Sequence, residues 1–244
     1  MIAALPPLPS PPAPASPPED RLPLLRLLQL ASPALPVGAF AYSQGLEAAV
    51  HAGLVHDEPS ATAWILGLLR ETLAYQELPI FARVHRAAQA GQPEVVRRWN
   101  DLLFAMRASA ELQMEDRHLG LAMARILHTL GIPSPFLPST PHWPPTFTAL
   151  FALASAHRPG AADLVSAMFA FAFAWTEAQA SAAVRLVPLG QSAGVRLLAL
   201  AGPVIATAVD LALELDDDAL GASAPTQAIL SAAHETQYSR LFRS

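Results

Sequence analysis

The side chains of this sequence that could do chemistry gather in three places. The first holds Glu111, Glu115 and His118, with Glu115 and His118 forming an E-x-x-H pair and Glu111 one turn earlier. That spacing is the local signature of a carboxylate-bridged di-metal helix bundle, which needs a second E-x-x-H and two further inward glutamates. No other E-x-x-H occurs in the chain, so a charged, exposed helix face is expected and no metal ligand is assigned. The second place is the run from Leu35 to Glu47, where Pro36, Gly38 and Gly45 punctuate Phe40, Tyr42, Ser43, Gln44 and Glu47. It reads as an ordered turn entering a helix, with Ser43 available as a cap and Phe40 as a hydrophobic staple. A similar stretch from Arg185 to Gly194 makes either a tight interhelical turn or a helix N-terminus at Gly190 that can face an anion. Tyr42 and Glu47, with Arg185 or Arg196 in one cleft, would be the parts of a general acid–base site, and an α-helical enzyme is the alternative reading.

The third place is the segment from His234 to Ser244, which holds two arginines, two aromatics, a histidine and a glutamate. Chain termini ordinarily fray and carry little specific content. Continued as a helix, at 100° per residue, the segment sets Leu230, His234, Tyr238, Leu241 and Phe242 on one stripe and Thr236, Arg240 and Arg243 opposite. Such a helix either docks on its own core or is held for a partner.

The missing residue types narrow the chemistry. There is no cysteine, and all fifteen basic residues are arginine. A thiol nucleophile, a disulfide, a zinc–thiolate site, a Schiff base and a lysine-bearing phosphate loop are thereby excluded. The histidines show no H-x-H or H-E-x-x-H spacing, and no serine lies in a G-x-S-x-G elbow. Without thiolates or clustered histidines, a passive metal store is disfavoured too. A net charge of −5, with the arginines between Arg70 and Arg125 matched by acidic residues, argues against nucleic acid as a partner. No secretory signal is visible, and the apolar run Leu164 to Thr176 is shorter than the ~20 residues that span a bilayer. A cytoplasmic protein that meets no membrane is expected.

The elements that must position these residues are helical. An apolar fraction of 52% in 244 residues supports a sizeable core. Residues 1–22 are rich in proline and alanine and form an extension that cannot build a core, which leaves 23–244 as the folded domain. Beyond them the apolar period is that of a helix almost throughout, with no strand alternation. Ser60 can cap a helix through Trp64 and Tyr75 that Pro79 then kinks or restarts. Gly131 to Pro145 is the clearest break, read as a long loop within one domain. Ala161 to Val184, apolar on all sides, is expected to be a buried central helix, and Gly202 and Pro203 are expected to bend the helix after it. The fold class is all-α, a single helical-bundle-like domain of roughly eight to ten helices around a buried central helix, at usual helix lengths.

Three runs in order carry a family resemblance. They are Leu30 to Glu47 (Leu-Ala-Ser-Pro-Ala-Leu-Pro-Val-Gly-Ala-Phe-Ala-Tyr-Ser-Gln-Gly-Leu-Glu), Val187 to Gly194 (Val-Pro-Leu-Gly-Gln-Ser-Ala-Gly) and Ser231 to Ser244. Together they make the chain resemble the urease accessory protein UreF family over nearly everything after residue 22. Gln113 and Val195 depart from the family's pattern, where arginine and a polar residue are more usual. The resemblance implies an all-α, non-enzymatic adaptor without a cofactor or metal of its own. It implies a homodimer that binds UreD (also called UreH) and recruits the GTPase UreG, so that nickel is delivered into apo-urease and GTP hydrolysis is coupled to the transfer. The family's UreD/UreH contact carries over onto His234, Glu235, Tyr238, Arg240, Leu241, Phe242 and Arg243. Tyr42, Gln44 and Glu47 lie in the first motif and join them as partner-binding residues.

Overall fold

Apolar residues recurring at three- and four-residue spacing make almost every stretch of this chain a helix with one face to bury. The computed structural model describes residues 21–136 and 144–243. The proline-rich extension therefore lies outside the described residues, Arg21 and Leu22 excepted. Ten α-helical segments follow: α1 (Leu22–Leu30), α2 (Leu46–His51), α3 (Glu58–Leu68), α4 (Leu78–Gln89), α5 (Pro93–Ala105), α6 (Ala110–Thr129), α7 (Phe147–Ala156), α8 (Leu164–Leu186), α9 (Gln191–Glu214) and α10 (Pro225–His234). Among the described residues there is no strand. The class is all-α, as the periodicity requires.

One long helical rod organises the rest. It begins at a capping box in which the Asp57 carboxylate accepts the Ser60 N–H at 2.9 Å and the Ser60 hydroxyl accepts the Asp57 N–H at 3.1 Å. Asp57 is thus the cap, and Ser60 its reciprocal partner. From Leu69 to Glu77 the rod widens into π-helix before narrowing again as α4. Pro79, in the first turn of α4, has no N–H to return to the Tyr75 carbonyl four residues back. That carbonyl accepts instead from the Gly221 N–H at 3.0 Å, and the Gln76 side chain donates to the Ala222 carbonyl. Pro79 thus stands where α4 restarts, and it exposes an acceptor on which the segment after α9 is fastened.

The core departs from the sequence reading in its centre. α8 is not the buried axis, because Val165, Phe169 and Phe173, at i, i+4 and i+8, form an exposed stripe. Its apolar residues outnumber what one side can bury. The enclosed element is α7, buried from Thr148 to Ala156, packed on α4 and α6. Phe81 of α4, Phe151 of α7 and Phe171 of α8 meet there with ring centroids 5.3 to 6.0 Å apart. Pro203 stands inside α9 without ending it, since the Ala199 carbonyl it leaves unpaired lies on an exposed face. α9 has the length and mean hydropathy, 1.7, to cross a bilayer. Here Leu197, Ala201, Ile205 and Val209 are buried and the helix packs along α8 and the π-helical segment.

Charge enters this core at one point. Arg107, following α5, is largely buried and pairs with Glu77, at the end of the π-helix, and Asp116 of α6. Thr148 of α7 also donates to Glu77. Burial pushes the Asp116 carboxyl above its usual range, the Arg107 charge opposing it, while the two carboxylates hold the guanidinium firmly charged. Four elements are joined by this set, and removing one member would strand the others without solvent.

The loop between α6 and α7 is pinned where it re-enters the core. Asn100 of α5 accepts the Thr146 N–H at 2.7 Å and donates to the Pro144 carbonyl at 3.2 Å. The chain there lies directly against Gly120 of α6, where a Cβ would stand 1.6 Å from the Pro145 carbonyl oxygen. A methyl group must therefore push α6 and the loop apart. Gly120→Ala is expected to destabilise the fold by about 3 kcal/mol, despite the better helix propensity of alanine. Chemical denaturation of the purified variant checks this, and a loss under 1 kcal/mol would contradict the packing.

Candidate functional site

The C-terminal segment is built onto the turn before α2 through one buried carboxylate. Gly45, at φ +86°, precedes α2, a left-handed backbone that favours glycine, and α10 packs against it at Gln227. Gln44 also takes a left-handed φ of 54°. The turn brings Glu47 into the first turn of α2 with the Ser43 hydroxyl accepting its N–H at 3.3 Å. Ser43 thus serves the helix start, as expected. Phe40 does not staple it, since its side chain is exposed and its carbonyl accepts from Arg185 at 2.9 Å.

Glu47 is buried, and the terminal segment supplies its donors. Its Oε1 accepts the Leu241 N–H at 2.6 Å, and its Oε2 accepts the Phe242 N–H at 2.8 Å and His234 Nε2 at 3.2 Å. The other His234 nitrogen, Nδ1, lies 2.9 Å from Glu111 of α6, which also takes Arg240 at 3.1 Å. Two carboxylates, an imidazole ring and a guanidinium make a hydrogen-bonded chain that links α2, α6, α10 and the tail. Beyond it, the Arg243 N–H donates to the Ala41 carbonyl at 2.8 Å, and the Arg185 guanidinium lies 4.6 Å above the Phe242 ring. Phe242 is buried beside Leu46 and Val187, so all three sequence motifs meet at this residue.

The segment is not the helix its spacing suggests. α10 ends at His234, and residues 235–243 run as turns and extended chain. Backbone N–H groups of Leu241 and Phe242 spent on Glu47 are unavailable for an i−4 ladder. The residues expected on one stripe accordingly separate. His234 and Phe242 are buried, whereas Tyr238 and Leu241 stand in solvent. Glu235 accepts the Ala110 N–H at 3.1 Å and serves the start of α6, where Ser109 is the cap and bonds Ser231 at 2.7 Å. Arg240 is part-exposed and Arg243 exposed. Beside them a groove of about 610 Å³ runs between α2 and α10, lined by Val50, Leu230, Ala233 and Tyr238.

Tyr42 and Gln44 join the site from beneath. The Tyr42 hydroxyl is 2.9 Å from His118 Nδ1, and Gln44 donates to Glu115 at 2.7 Å while accepting from Trp175 at 2.9 Å. Burial raises the Tyr42 hydroxyl above its usual pKa, opposed by a hydrogen bond to Arg243. Glu115 and His118 of the E-x-x-H pair thus engage different partners. The acid–base alternative fails on geometry: Glu47 is sealed by the tail, Arg185 is spent on Phe242 and Phe40, and Arg196 pairs with Glu58 at 2.6 Å on α3. The sequence reading missed Glu111, assigned to an exposed face yet buried, and the Ala41 carbonyl. Glu111 lies one turn before Glu115 and three residues from Met114, and no local signal distinguishes its buried side from its exposed one.

Glu47→Gln replaces an acceptor of three donors with a group that must turn an NH₂ toward N–H groups. A loss of about 3 kcal/mol in stability is expected. Faster amide exchange confined first to residues 235–243 would show where it acts, and unchanged exchange there would refute the assignment.

The geometry can be set beside known proteins. The family model described as UreF matches residues 55–202. The urease accessory protein UreF of Chromohalobacter salexigens is 46% identical over 227 residues, 92% of this chain and 96% of that protein. The urease accessory proteins UreF of Pseudomonas putida and Teredinibacter turnerae are 44% and 42% identical, each spanning 91% of this chain and 98% of their own length.

Proposed function

Since this chain belongs to the UreF family of urease accessory proteins and is not an enzyme, we propose that it is the adaptor of urease maturation that holds other accessory proteins together. The C-terminal segment is its contact for UreD/UreH, UreG is recruited onto the same assembly, and the assembly delivers nickel into the urease apoprotein with GTP hydrolysis coupled to the transfer. It acts in the cytoplasm. The observation that supports this reading is the division of labour within residues 234–243. His234 and Phe242 are spent on anchoring, which leaves Tyr238, Arg240, Leu241 and Arg243 displayed on an ordered backbone. A preordered aromatic and arginine surface is what a protein interface uses for its strongest contacts.

A second apolar surface supports a homodimer. α1 packs on α8, and the pair exposes Leu24, Leu25 and Leu28 together with Val165, Phe169 and Phe173. So many large apolar side chains on two adjoining helices mark an interaction surface.

Two measurements test the reading. Arg240→Ala with Arg243→Ala is expected to weaken binding to purified UreD/UreH by about 2 kcal/mol, roughly thirtyfold, because interface arginines are frequent hot spots. Its melting temperature should move little, as the Arg240 side chain is part-exposed and the buried Glu111 keeps its bond to His234. Full partner binding and urease activation by this variant would refute the tail assignment. Phe169→Asp with Phe173→Asp should give a folded monomer in light scattering where the native chain gives a dimer, and an unchanged mass would remove α8 from the interface.

A further inference from the structure

α6 carries an outward stripe that neither the core nor the tail contacts explain. Met114, Arg117, His118, Leu121, Arg125 and His128 are all exposed. At 100° per residue they fall within an arc of about 100°, and they run along about 21 Å of helix. No carboxylate lies on this arc: Glu111, Glu115 and Asp116 of the same helix are turned inward and buried. Among the described residues Arg83, Arg97, Arg196 and Arg240 pair with carboxylates, whereas Arg117 and Arg125 do not, nor do the exposed Arg70, Arg86 and Arg158. What sets α6 apart is two such unpaired arginines with two histidines on one carboxylate-free arc. A chain of net charge −5 thus keeps one helix face basic and studs it with two large apolar side chains.

The stripe is continuous with the terminal site. His118 reaches the Tyr42 hydroxyl, which is hydrogen-bonded to Arg243, and Arg240 pairs with Glu111 in the first turn of α6. Arg240 and Arg243 therefore extend the same basic surface beyond the helix start. The geometry points to one docking face, α6 together with the tail, for a protein partner that presents an acidic surface with apolar side chains between its carboxylates. The inference rests on the partner-binding reading above and adds the surface's extent and the partner's chemistry. Unpaired guanidinium groups in the open raise the encounter rate with an anionic surface, and Met114 and Leu121 give the encounter complex apolar area to bury. Nucleic acid fits less well, because the rest of the molecule would repel it.

The test uses the full chain with purified UreD/UreH and purified UreG, each measured separately at 50 and 300 mM salt. Arg117→Glu with Arg125→Glu is compared with Met114→Ser with Leu121→Ser and with the tail variant Arg240→Ala, Arg243→Ala. All four stripe side chains are exposed, so circular dichroism and melting should match the native chain. The charge reversal is expected to slow association with one partner about tenfold or more at low salt and to flatten its salt dependence. The serine pair should instead speed dissociation of the same partner. Native kinetics in both stripe variants, with binding lost in the tail variant, would overturn the stripe while leaving the adaptor reading intact. A native chain that binds neither partner would sink both. Retention of duplex DNA by the native chain and not by the charge reversal, with partner kinetics unmoved, would also overturn the proposal and reassign the face to nucleic acid.

Discussion

A carboxylate withdrawn from water must find donors, and the architecture of this protein around its first motif follows from how Glu47 finds them. Glu47 sits at the start of a six-residue helix too short to be stable alone. Its oxygens are satisfied by a histidine and by two backbone N–H groups nearly two hundred residues away in the chain. The requirement explains several otherwise separate features. The tail gives up helical geometry because its N–H groups are needed elsewhere. Gly45 has to be glycine because the turn that carries Glu47 toward α10 takes a φ of +86° there. Glu111 is buried because the histidine has a second nitrogen to place. Specific anchoring of this kind contributes little net energy once desolvation is counted, but it fixes one geometry among many.

The same logic operates in the core, with the signs reversed. Arg107 is a buried cation that recruits Glu77 and Asp116 from two different helices. The π-helical turns ahead of Pro79 end at Glu77, one of those acids. Both networks touch α6, one through Glu111 and one through Asp116, and Glu115 between them accepts from Gln44. α6 is therefore charged on its inner side by acids and on its outer side by arginines. Such a helix is amphipathic in charge as well as in hydropathy. This arrangement explains why its hydrophobic pattern is weak for its length.

Much of the fold was legible because helix periodicity, proline positions and glycine turns act locally. The extents of α5, α6 and α9 follow from Pro93, from the repeat between Glu111 and Leu130 and from the turn at Gly190. What was not legible depends on partners distant in sequence. Ala161 to Val184 is apolar enough to be a core axis, yet which of its sides faces α4 and which faces solvent is set by α1 and α7. Nothing local reports that the N–H groups of Leu241 and Phe242 are claimed by Glu47, so a helical continuation of α10 was the natural expectation. The candidate site fared similarly: Tyr42, Gln44, Glu47 and the tail residues do meet, but their separation into buried anchors and exposed contacts needed the tertiary structure.

The bonds from Glu47 to Leu241 and Phe242 span 194 and 195 positions in the chain. Contacts of such separation close the longest loops of a fold and form late, after local helices and their nearest neighbours. Until those contacts form, the carboxylate of Glu47 lacks the donors that let it leave water. Only the arrival of residues 234–242 allows it to be enclosed. Docking of residues 234–242 is thereby written into the surface the molecule displays, since without it a hydrated carboxylate would stand where an ordered segment now lies.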